Sequence, residues 1–285
     1  MTGCAPRAIF RDPALQTVFD ATGFVVVPIF DADRIAALKR GWHDLSGPIQ
    51  NYPFSASVMT GDVVYRDTVD ALLSDAFSDR IAAVFDDYRF VLGNFLTKAP
   101  FADAPIPLHQ DGMFVDEARF ESVSLWVPLR TVGPQNGCLR VMPGSHRLNR
   151  AARGTDRRFP YPAFIDAIER NFLCDVAMPA GSACIMSLRL FHASYPNSAP
   201  DPRVCVSALA VPRESALCYL HQDDSGPIDV YDVDDDFLKY HVYGMPPLHQ
   251  TPSRRLPEAA DACTAADLAA AYSAATPFLE RIFAP

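Results

Sequence analysis

Apolar side chains recur at helical spacing in two stretches near the start of the chain. Residues 34–45 and 69–88 both carry apolar residues three and four positions apart, which predicts two amphipathic helices. Asp31 or Asp33 is placed to cap the first helix. Residues 23–28 are instead an apolar run that ends in proline, which is typical of a short strand. The N-terminal region of the chain is therefore predicted to be mainly helical.

The pattern changes near residue 89. Short runs rich in β-branched and aromatic residues follow one another, separated by clusters of glycine, proline and asparagine. The runs that we predict as strands are 89–97, 122–129, 138–142, 182–187 and 203–211. Many short strands with such turns favour a sandwich or barrel of jelly-roll type. We therefore predict a mainly β fold with flanking helices (α+β).

Residues 219–250 combine aromatic residues with many aspartates. The aspartates are Asp223, Asp224, Asp229, Asp232, Asp234, Asp235 and Asp236. We expect an acidic loop surface here; the alternative is a lid over a site, because long loops on β scaffolds often carry function. Residues 264–283 carry an apolar stripe that predicts a C-terminal helix. We expect one domain over residues 1–285, with a helical region over residues 1–88, a β core over residues 89–212, and an acidic loop region and C-terminal helix over residues 213–285.

The composition narrows the choice of partners. A formal net charge of −9 disfavours nucleic acid, whose phosphates require a basic protein surface. No apolar run reaches the about 18 residues of a membrane span, and no secretory signal is recognised. The seven cysteines are scattered and form no CxxC pair, which indicates a reduced protein. We expect a cytoplasmic protein that binds a small molecule, not nucleic acid or a membrane, and leave its oligomeric state open.

The segment PLHQDG at 107–112 carries the strongest chemical signal. Residues two apart on a strand point to the same side, so His109 and Asp111 can reach one metal ion. His192 ends an apolar run that we predict as a strand and is the best candidate for a third ligand. Two imidazoles and one carboxylate on one face of a metal are typical of non-haem iron(II) oxygenases. Taken alone, a histidine and an aspartate at this spacing are a weak signal, because such pairs occur by chance.

An arginine strengthens the interpretation. Arg203 follows His192 by eleven positions and opens a predicted apolar strand. Its planar guanidinium can bind one carboxylate of a dicarboxylate through two parallel hydrogen bonds. The alternative is an ordinary salt bridge at a strand end.

Several motifs in one order make the chain resemble a known family. They are His109-Gln110-Asp111, the strand 124–129, the segment 136–146, His192-Ala193-Ser194 and Arg203. With them, the chain resembles the phytanoyl-CoA dioxygenase family of iron(II)- and 2-oxoglutarate-dependent oxygenases, most closely over residues 90–211. The resemblance implies a double-stranded β-helix, which is a jelly roll of cupin-like form.

The resemblance also implies roles for individual residues. It assigns iron(II) to His109, Asp111 and His192. The residues that it assigns to the co-substrate 2-oxoglutarate are Arg203, Ser194, Lys98 and Trp126. His146 matches a family histidine outside the metal set and is interpreted as a turn or packing residue. Gln110 points to the opposite side of the predicted strand from His109 and Asp111. It is expected to support these two residues without binding the metal itself.

The implied reaction couples oxidative decarboxylation of 2-oxoglutarate by O2 to oxidation of a small organic substrate, such as a specialised metabolite. Related halogenases have a small residue at the position of Asp111, so its carboxylate favours hydroxylation or a related oxidation such as desaturation. An acyl-CoA substrate would need a basic surface that this acidic chain lacks. Arg140, Arg189 and Tyr195 could meet a polar substrate or simply pack. Two other functions stay open: a cupin-type metalloenzyme that does not use 2-oxoglutarate, and a non-catalytic binding module.

Overall fold

A computed structural model describes residues 7–45, 52–155, 159–222, 227–257 and 260–283 of the chain. The helices are α1 (Pro13–Thr22), α2 (Ala32–Leu45), α3 (Val63–Val84), α4 (Ile165–Asn171), α5 (Asp235–Tyr240), α6 (Ala265–Ala275) and α7 (Leu279–Phe283). The first strands are β1 (Phe24–Pro28), β2 (Phe54–Ala56), β3 (Tyr88–Lys98), β4 (Ile106–His109), β5 (Val123–Pro128) and β6 (Leu139–Val141). The remaining strands are β7 (Cys174–Val176), β8 (Ser182–Ser187), β9 (His192–Ser194), β10 (Arg203–Pro212), β11 (Leu217–His221), β12 (Ile228–Val233) and β13 (Arg254–Leu256).

The larger sheet has six antiparallel strands in the order β1-β8-β5-β10-β3-β2. Helix α3 packs against β3 and buries Leu73 and Phe77 in the main hydrophobic core. Gly93 allows this close approach, because a Cβ atom at this position would lie 2.5 Å from Cβ of Leu73. The helix therefore covers one face of β3, and the side chains of alternate residues on its other face are left to line a cavity.

The smaller sheet has four antiparallel strands in the order β4-β9-β6-β7. Residues of both sheets line the same cavity, which places the two sheets opposite each other. The five strands predicted between residues 89 and 211 are all present, within one or two residues of the expected ends. The predicted arrangement of a mainly β fold with flanking helices is therefore confirmed.

Two predictions for the N-terminal region need correction. The helix expected at 69–88 begins at Val63 and ends at Val84, because the chain turns at Asp87 with a φ of 51° and Tyr88 begins β3. The prediction of a mainly helical N-terminal region also missed β2, which forms one edge of the larger sheet, whereas the strand expected at 23–28 is present as β1 and forms the other edge.

The prediction of an acidic loop over residues 219–250 is wrong. Strands β11 and β12 pair antiparallel, β13 extends them into a three-stranded sheet, and α5 follows. Apolar side chains on both faces of β11 are buried, Tyr219 against one cluster and Leu220 against another. The many aspartates made the apolar residues of these strands hard to recognise in the sequence. Asp223 and Asp224 lie outside the described residues. The helix expected at 264–283 is confirmed as α6 and α7, which are joined by a short 3-10 turn.

Over the ranges that the structure describes, no helix combines the length and apolarity that crossing a membrane requires.

Candidate metal centre

The predicted metal ligands lie together where β4 meets β9. His109 and His192 are direct partners in the register of this strand pair, and their ring centroids are 4.1 Å apart. Asp111 joins them, so that one ligand atom from each of the three residues lies within 4.8 Å of the others. Both histidines are buried and Asp111 is partly exposed.

Backbone carbonyls set the orientation of both imidazoles. Nδ1 of His109 lies 2.8 Å from the carbonyl oxygen of Pro107, and Nδ1 of His192 lies 2.9 Å from that of Leu190. A carbonyl oxygen can only accept, so each Nδ1 carries a proton, and Nε2 is the nitrogen of each ring that can bind a metal. The Nε2 atoms lie 3.7 Å and 3.9 Å from the carboxylate oxygens of Asp111. Two imidazole nitrogens and a carboxylate thus converge, a donor set that fits iron(II).

Asp111 reaches this position from a loop and not from a strand, because β4 ends at His109. Its N–H donates to the carbonyl of Leu188 at 3.0 Å, and its own carbonyl accepts from Nε of Arg153 at 3.1 Å. Arg153 is held in turn by the buried carboxylate of Glu117, 2.7 Å from Nη2. The loop is therefore fixed from both sides by contacts that bring the Asp111 carboxylate to the two histidines.

His192 also differs slightly from expectation, since it begins β9 and does not end the preceding strand. Ser145 stabilises the turn before it: its Oγ donates to the carbonyl of Met142 at 2.7 Å and accepts from the N–H of Phe191 at 2.8 Å. His146 follows Ser145 in a short 3-10 turn. Burial lowers the pKa of His146 to about 3, so its ring packs in the neutral form.

Gln110 is buried and lies outside the cavity lining. Its Nε2 donates to the carbonyl of Arg189 at 2.6 Å, and its Oε1 accepts from Nδ2 of Asn149 at 2.8 Å. The side chain thus ties the loop between the ligands to the segment before His192, which is the supporting position expected from the sequence.

Two buried cations, Lys98 and Arg203, form the other end of the site and are called the cation pair below. They are direct partners in the register of β3 and β10. Nζ of Lys98 donates to Oγ of Ser194 at 2.8 Å and to the carbonyl of Tyr195. Within the described ranges no carboxylate forms an ion pair with either cation. Burial, and next the charge of Arg203, lower the pKa of Lys98 to about 7.

The guanidinium of Arg203 is only partly satisfied. Nη1 donates to the carbonyl of Leu96 and to Sγ of Cys205, whereas Nε is buried without a hydrogen-bond partner among the described residues. The ring of Trp126 lies 5.6 Å from its Cζ atom. Two desolvated positive charges with a spare donor indicate a site for an anion.

A glycine leaves room for that anion. Gly137 has a φ of +79°, and a Cβ atom there would lie 3.4 Å from Nε of Arg203 and 3.3 Å from Cδ of Lys98. The turn at Asn136 and Gly137 is thus placed against the cation pair. A side chain at this turn would crowd the space beside both cations.

The metal centre and the cation pair border one cavity of about 150 Å³. His109, Asp111 and His192 line it, and so do Ser194, Arg203 and Trp126, whereas Lys98 acts through its contact with Ser194. The structure therefore brings all seven predicted site residues into one region, and their roles stay predictions.

Some residues that line the cavity were not predicted. They are Phe54, Val58, Asn94, Ser207 and Tyr243, among others. Only Asn94 carried a signal, because it is a polar residue inside the predicted strand 89–97, four positions before Lys98.

Three residues considered as substrate contacts do not line this cavity. Arg189 instead pairs with Glu121 and lies near Glu117, while Arg140 lies over the ring of Tyr195 with its Cζ atom 4.7 Å from the centroid. All three side chains therefore act in packing.

Comparison with known sequences connects the site to a family. The family model described as Phytanoyl-CoA dioxygenase (PhyH) matches residues 19–205, more than half of the chain. A phytanoyl-CoA dioxygenase of Arabidopsis thaliana is 29% identical over 133 residues, which are 46% of this chain and 46% of the relative. Phytanoyl-CoA dioxygenase 1 of Oryza sativa subsp. japonica is 22% identical over 148 residues, 49% of this chain and 52% of the relative. The chain thus spans about half the length of the curated relatives it matches.

Solved structures share the fold. The non-heme alpha ketoglutarate dependent carbocyclase SnoK from nogalamycin biosynthesis has a TM-score of 0.55 and 17% identity, and the match covers 75% of this chain and 89% of SnoK. AviO1 from Streptomyces viridochromogenes gives 0.51 and 21%, with 75% and 98% covered. HygX from Streptomyces hygroscopicus, solved with nickel and 2-oxoglutarate bound, gives 0.52 and 17%, with 71% and 88% covered. At these identities the likeness shows the fold, and the predicted double-stranded β-helix is confirmed.

Proposed function

Because the chain belongs to the phytanoyl-CoA dioxygenase family, we propose that it is an iron(II)- and 2-oxoglutarate-dependent oxygenase that oxidises a small organic molecule. The observation that carries the proposal is a single cavity with a two-histidine, one-aspartate centre at one side and the cation pair at the other. A metal-binding module that did not use 2-oxoglutarate would have no need to bury two cations without an anion.

The residues have distinct tasks in the proposed reaction. His109, Asp111 and His192 hold iron(II), which supplies O2 activation coupled to decarboxylation of 2-oxoglutarate. Arg203 binds the far carboxylate of the co-substrate through two hydrogen bonds, and Ser194 adds a hydroxyl next to it. Lys98 contributes a second positive charge. Because Asp111 supplies a carboxylate to the metal, we propose hydroxylation or a related oxidation, and not halogenation.

The cavity also supports the proposal of one catalytic domain. Its lining includes Phe54 from the N-terminal region, the strands of the β core and Tyr243 from the C-terminal region. A structural neighbour supports a specialised metabolite as the substrate, since SnoK is described as a carbocyclase from nogalamycin biosynthesis.

The first prediction concerns turnover without a substrate. Purified protein is expected to form succinate slowly from 2-oxoglutarate, and only when iron(II) and O2 are both present. Succinate is measured by mass spectrometry in aerobic, anaerobic and chelator-treated samples. Absence of iron-dependent succinate under reducing, aerobic conditions would contradict the proposed function, whereas succinate that forms without iron would point to another chemistry.

The second prediction is a pH dependence set by Lys98. Its pKa of about 7 in the free protein means that the side chain loses its charge above this pH. A bound carboxylate favours the charged form, so binding above pH 7 takes up a proton. The affinity for 2-oxoglutarate is therefore expected to fall about ten-fold between pH 7 and pH 8.5. Anaerobic calorimetry in buffers of different ionisation enthalpy measures both the affinity and the proton uptake.

Lys98→Met is the control for this dependence. It removes the titrating group, so we expect weaker binding at pH 6 and a flat profile up to pH 8.5. A slope that persists in Lys98→Met would assign the proton to another residue, and a flat profile in the unsubstituted protein would contradict the prediction.

A further inference from the structure

The wall of the cavity away from the cation pair is formed by β3 and β10. Asn94 and Leu92 lie on the cavity face of β3, and they pair in register with Ser207 and Leu209 of β10. The Asn94–Ser207 pair lies four residues from the cation pair along both strands, about 13 Å at strand spacing. A polar pair therefore crosses a wall that is otherwise apolar, well away from the site proposed for the co-substrate.

The amide orientation of Asn94 is fixed by its partners. Its Oδ1 accepts from Oγ of Ser57 at 2.9 Å and from the N–H of Val58 at 3.3 Å. A backbone N–H can only donate, so the atom facing Val58 must be the oxygen. Nδ2 is then turned elsewhere, and no described residue accepts a hydrogen bond from it. Because Asn94 is half-buried and lines the cavity, this amide presents an unused donor to whatever occupies the cavity.

Ser207 presents a second unused group at the same place. It is half-buried and lines the cavity, and its hydroxyl has no hydrogen-bond partner within the stretches of chain that the structure describes. Directly paired residues on an antiparallel sheet have Cβ atoms about 5 Å apart, which allows one ligand oxygen to meet both side chains. Two donors on directly paired residues are suited to binding one accepting oxygen.

The rest of the cavity lining is mostly apolar, with Ser124 and Tyr243 carrying its other hydroxyl groups away from the metal centre and the cation pair. The apolar residues include Phe54, Val58, Leu92, Ile106, Phe114 and Leu209. Among the described lining residues the only charged side chains are Asp111, at the metal centre, and Arg203, at the co-substrate end. A charged substrate group in the remaining space would lose its hydration without gaining a partner, which is strongly unfavourable.

We propose that the substrate is a neutral, largely apolar molecule with one hydrogen-bond-accepting oxygen that is held by Nδ2 of Asn94 and Oγ of Ser207. The proposal rests on the proposed oxygenase function and names the substrate class of that site. The pair binds the oxygen at the wall, and the apolar lining leaves carbon to face the metal centre.

A CoA thioester, which the family name suggests, fits this cavity poorly. Its phosphates need cations, and the next buried arginine near the cavity is already satisfied. Arg66 borders a smaller adjoining cavity, but it donates to the carbonyl of His241 at 2.7 Å and to that of Leu238 at 3.2 Å. The chain as a whole carries a net charge of −9.

A matched set of probes tests the proposal by binding and not by turnover. The probes are four 2-substituted naphthalenes that differ in one group: acetyl, ethyl, carboxylate and 1-aminoethyl. The same four groups on benzene form a smaller set, and octanoyl-CoA represents the thioester. Calorimetry is done anaerobically with iron(II) and saturating 2-oxoglutarate, so that the cation pair is occupied. We expect the acetyl compound to bind about ten-fold more tightly than the ethyl compound, and more tightly than both charged compounds.

Asn94→Asp isolates the donor. Aspartate keeps an oxygen that accepts from Ser57 and Val58 but replaces the amide donor with a second acceptor. The acetyl compound should lose its about ten-fold advantage over the ethyl compound, and the 1-aminoethyl compound should gain affinity. Ser207→Ala removes one oxygen atom, should weaken only the acetyl compound and gives a second test if Asn94→Asp does not fold. The exposed Asn171→Asp is the matched control and should change nothing.

The outcomes separate this inference from the proposed function. Tighter binding of a carboxylate, an amine or octanoyl-CoA would overturn the inference, and so would failure of every neutral probe to bind while succinate formation is intact. An unchanged preference for acetyl over ethyl in both variants would remove Asn94 and Ser207 from the site. Selective acetyl binding in a protein that forms no succinate would support the pocket and overturn the oxygenase.

Discussion

Replacing His109 by alanine is expected to lower iron-dependent succinate formation from 2-oxoglutarate by more than about 100-fold. Loss of a residue that only supports a metal ligand costs up to about 100-fold, so loss of the ligand itself should cost more. Asp111 and His192 would remain as protein ligands to the metal. His192 already lies directly opposite position 109 in the strand pair, so this pairing brings no replacement for the lost imidazole. The imidazole lines the cavity and is oriented by the carbonyl of Pro107, so its loss should affect the metal more than stability. Succinate formation is measured at saturating iron and 2-oxoglutarate.

Anaerobic iron(II) titration gives a second readout. The unsubstituted protein should bind one iron per chain, and His109→Ala should bind it weakly, with an unchanged circular dichroism spectrum. His249→Ala is the matched control, because His249 is exposed and away from the cavity, and it should retain both turnover and iron binding. Full turnover in His109→Ala, or equal loss in both variants, would contradict the assignment of the metal ligands.

The long strands could be predicted from the sequence because they are defined by their own side chains. β3 and β10 have eleven and ten residues, rich in β-branched and aromatic positions, and they pair along nearly their full length. The strands β4 and β9 have four and three residues and no independent pattern. They form because the fold brings them together, so the sequence alone could place their histidines only by motif.

The position of Asp111 illustrates the same limit. Asp111 does lie beside His109 and His192. It does not share a strand face with His109, as was expected, because β4 ends at His109. Its carboxylate is positioned by a loop tied to Leu188 and Arg153, which are distant in sequence. The prediction for the acidic segment was wrong for a related reason, because its many aspartates were conspicuous and the apolar runs of β11 and β12 were short.

The cation pair shows what register adds to a motif. Lys98 and Arg203 are separated by more than a hundred residues, and Lys98 was assigned to the co-substrate by resemblance alone. Their direct pairing across β3 and β10 is set by the alignment of the two strands, which no single stretch of sequence specifies. The same register places Asn94 opposite Ser207, so the polar pair could be recognised only after the strands were aligned.

Arg203→Lys is expected to weaken 2-oxoglutarate binding about 100-fold, since a hydrogen bond to a charged group contributes about 1.5–3 kcal/mol. Lysine keeps the positive charge but cannot form two parallel hydrogen bonds to one carboxylate. The burial of Arg203, with 2% of its surface exposed, removes the screening that would make an exposed arginine dispensable. Anaerobic calorimetry measures the affinity, and steady-state succinate formation measures KM and kcat for 2-oxoglutarate.

The division between these constants distinguishes binding from structural damage. The KM for 2-oxoglutarate should rise about in step with the dissociation constant, while kcat at saturation should change little, because Arg203 contacts the carboxylate far from the metal. Arg213→Lys is the matched control: Arg213 is exposed, pairs with Asp87 and should tolerate the change. Unchanged affinity in Arg203→Lys would remove Arg203 from the co-substrate site. A lower kcat with unchanged affinity would show that Arg203 acts instead through the packing of β10 beneath the metal centre.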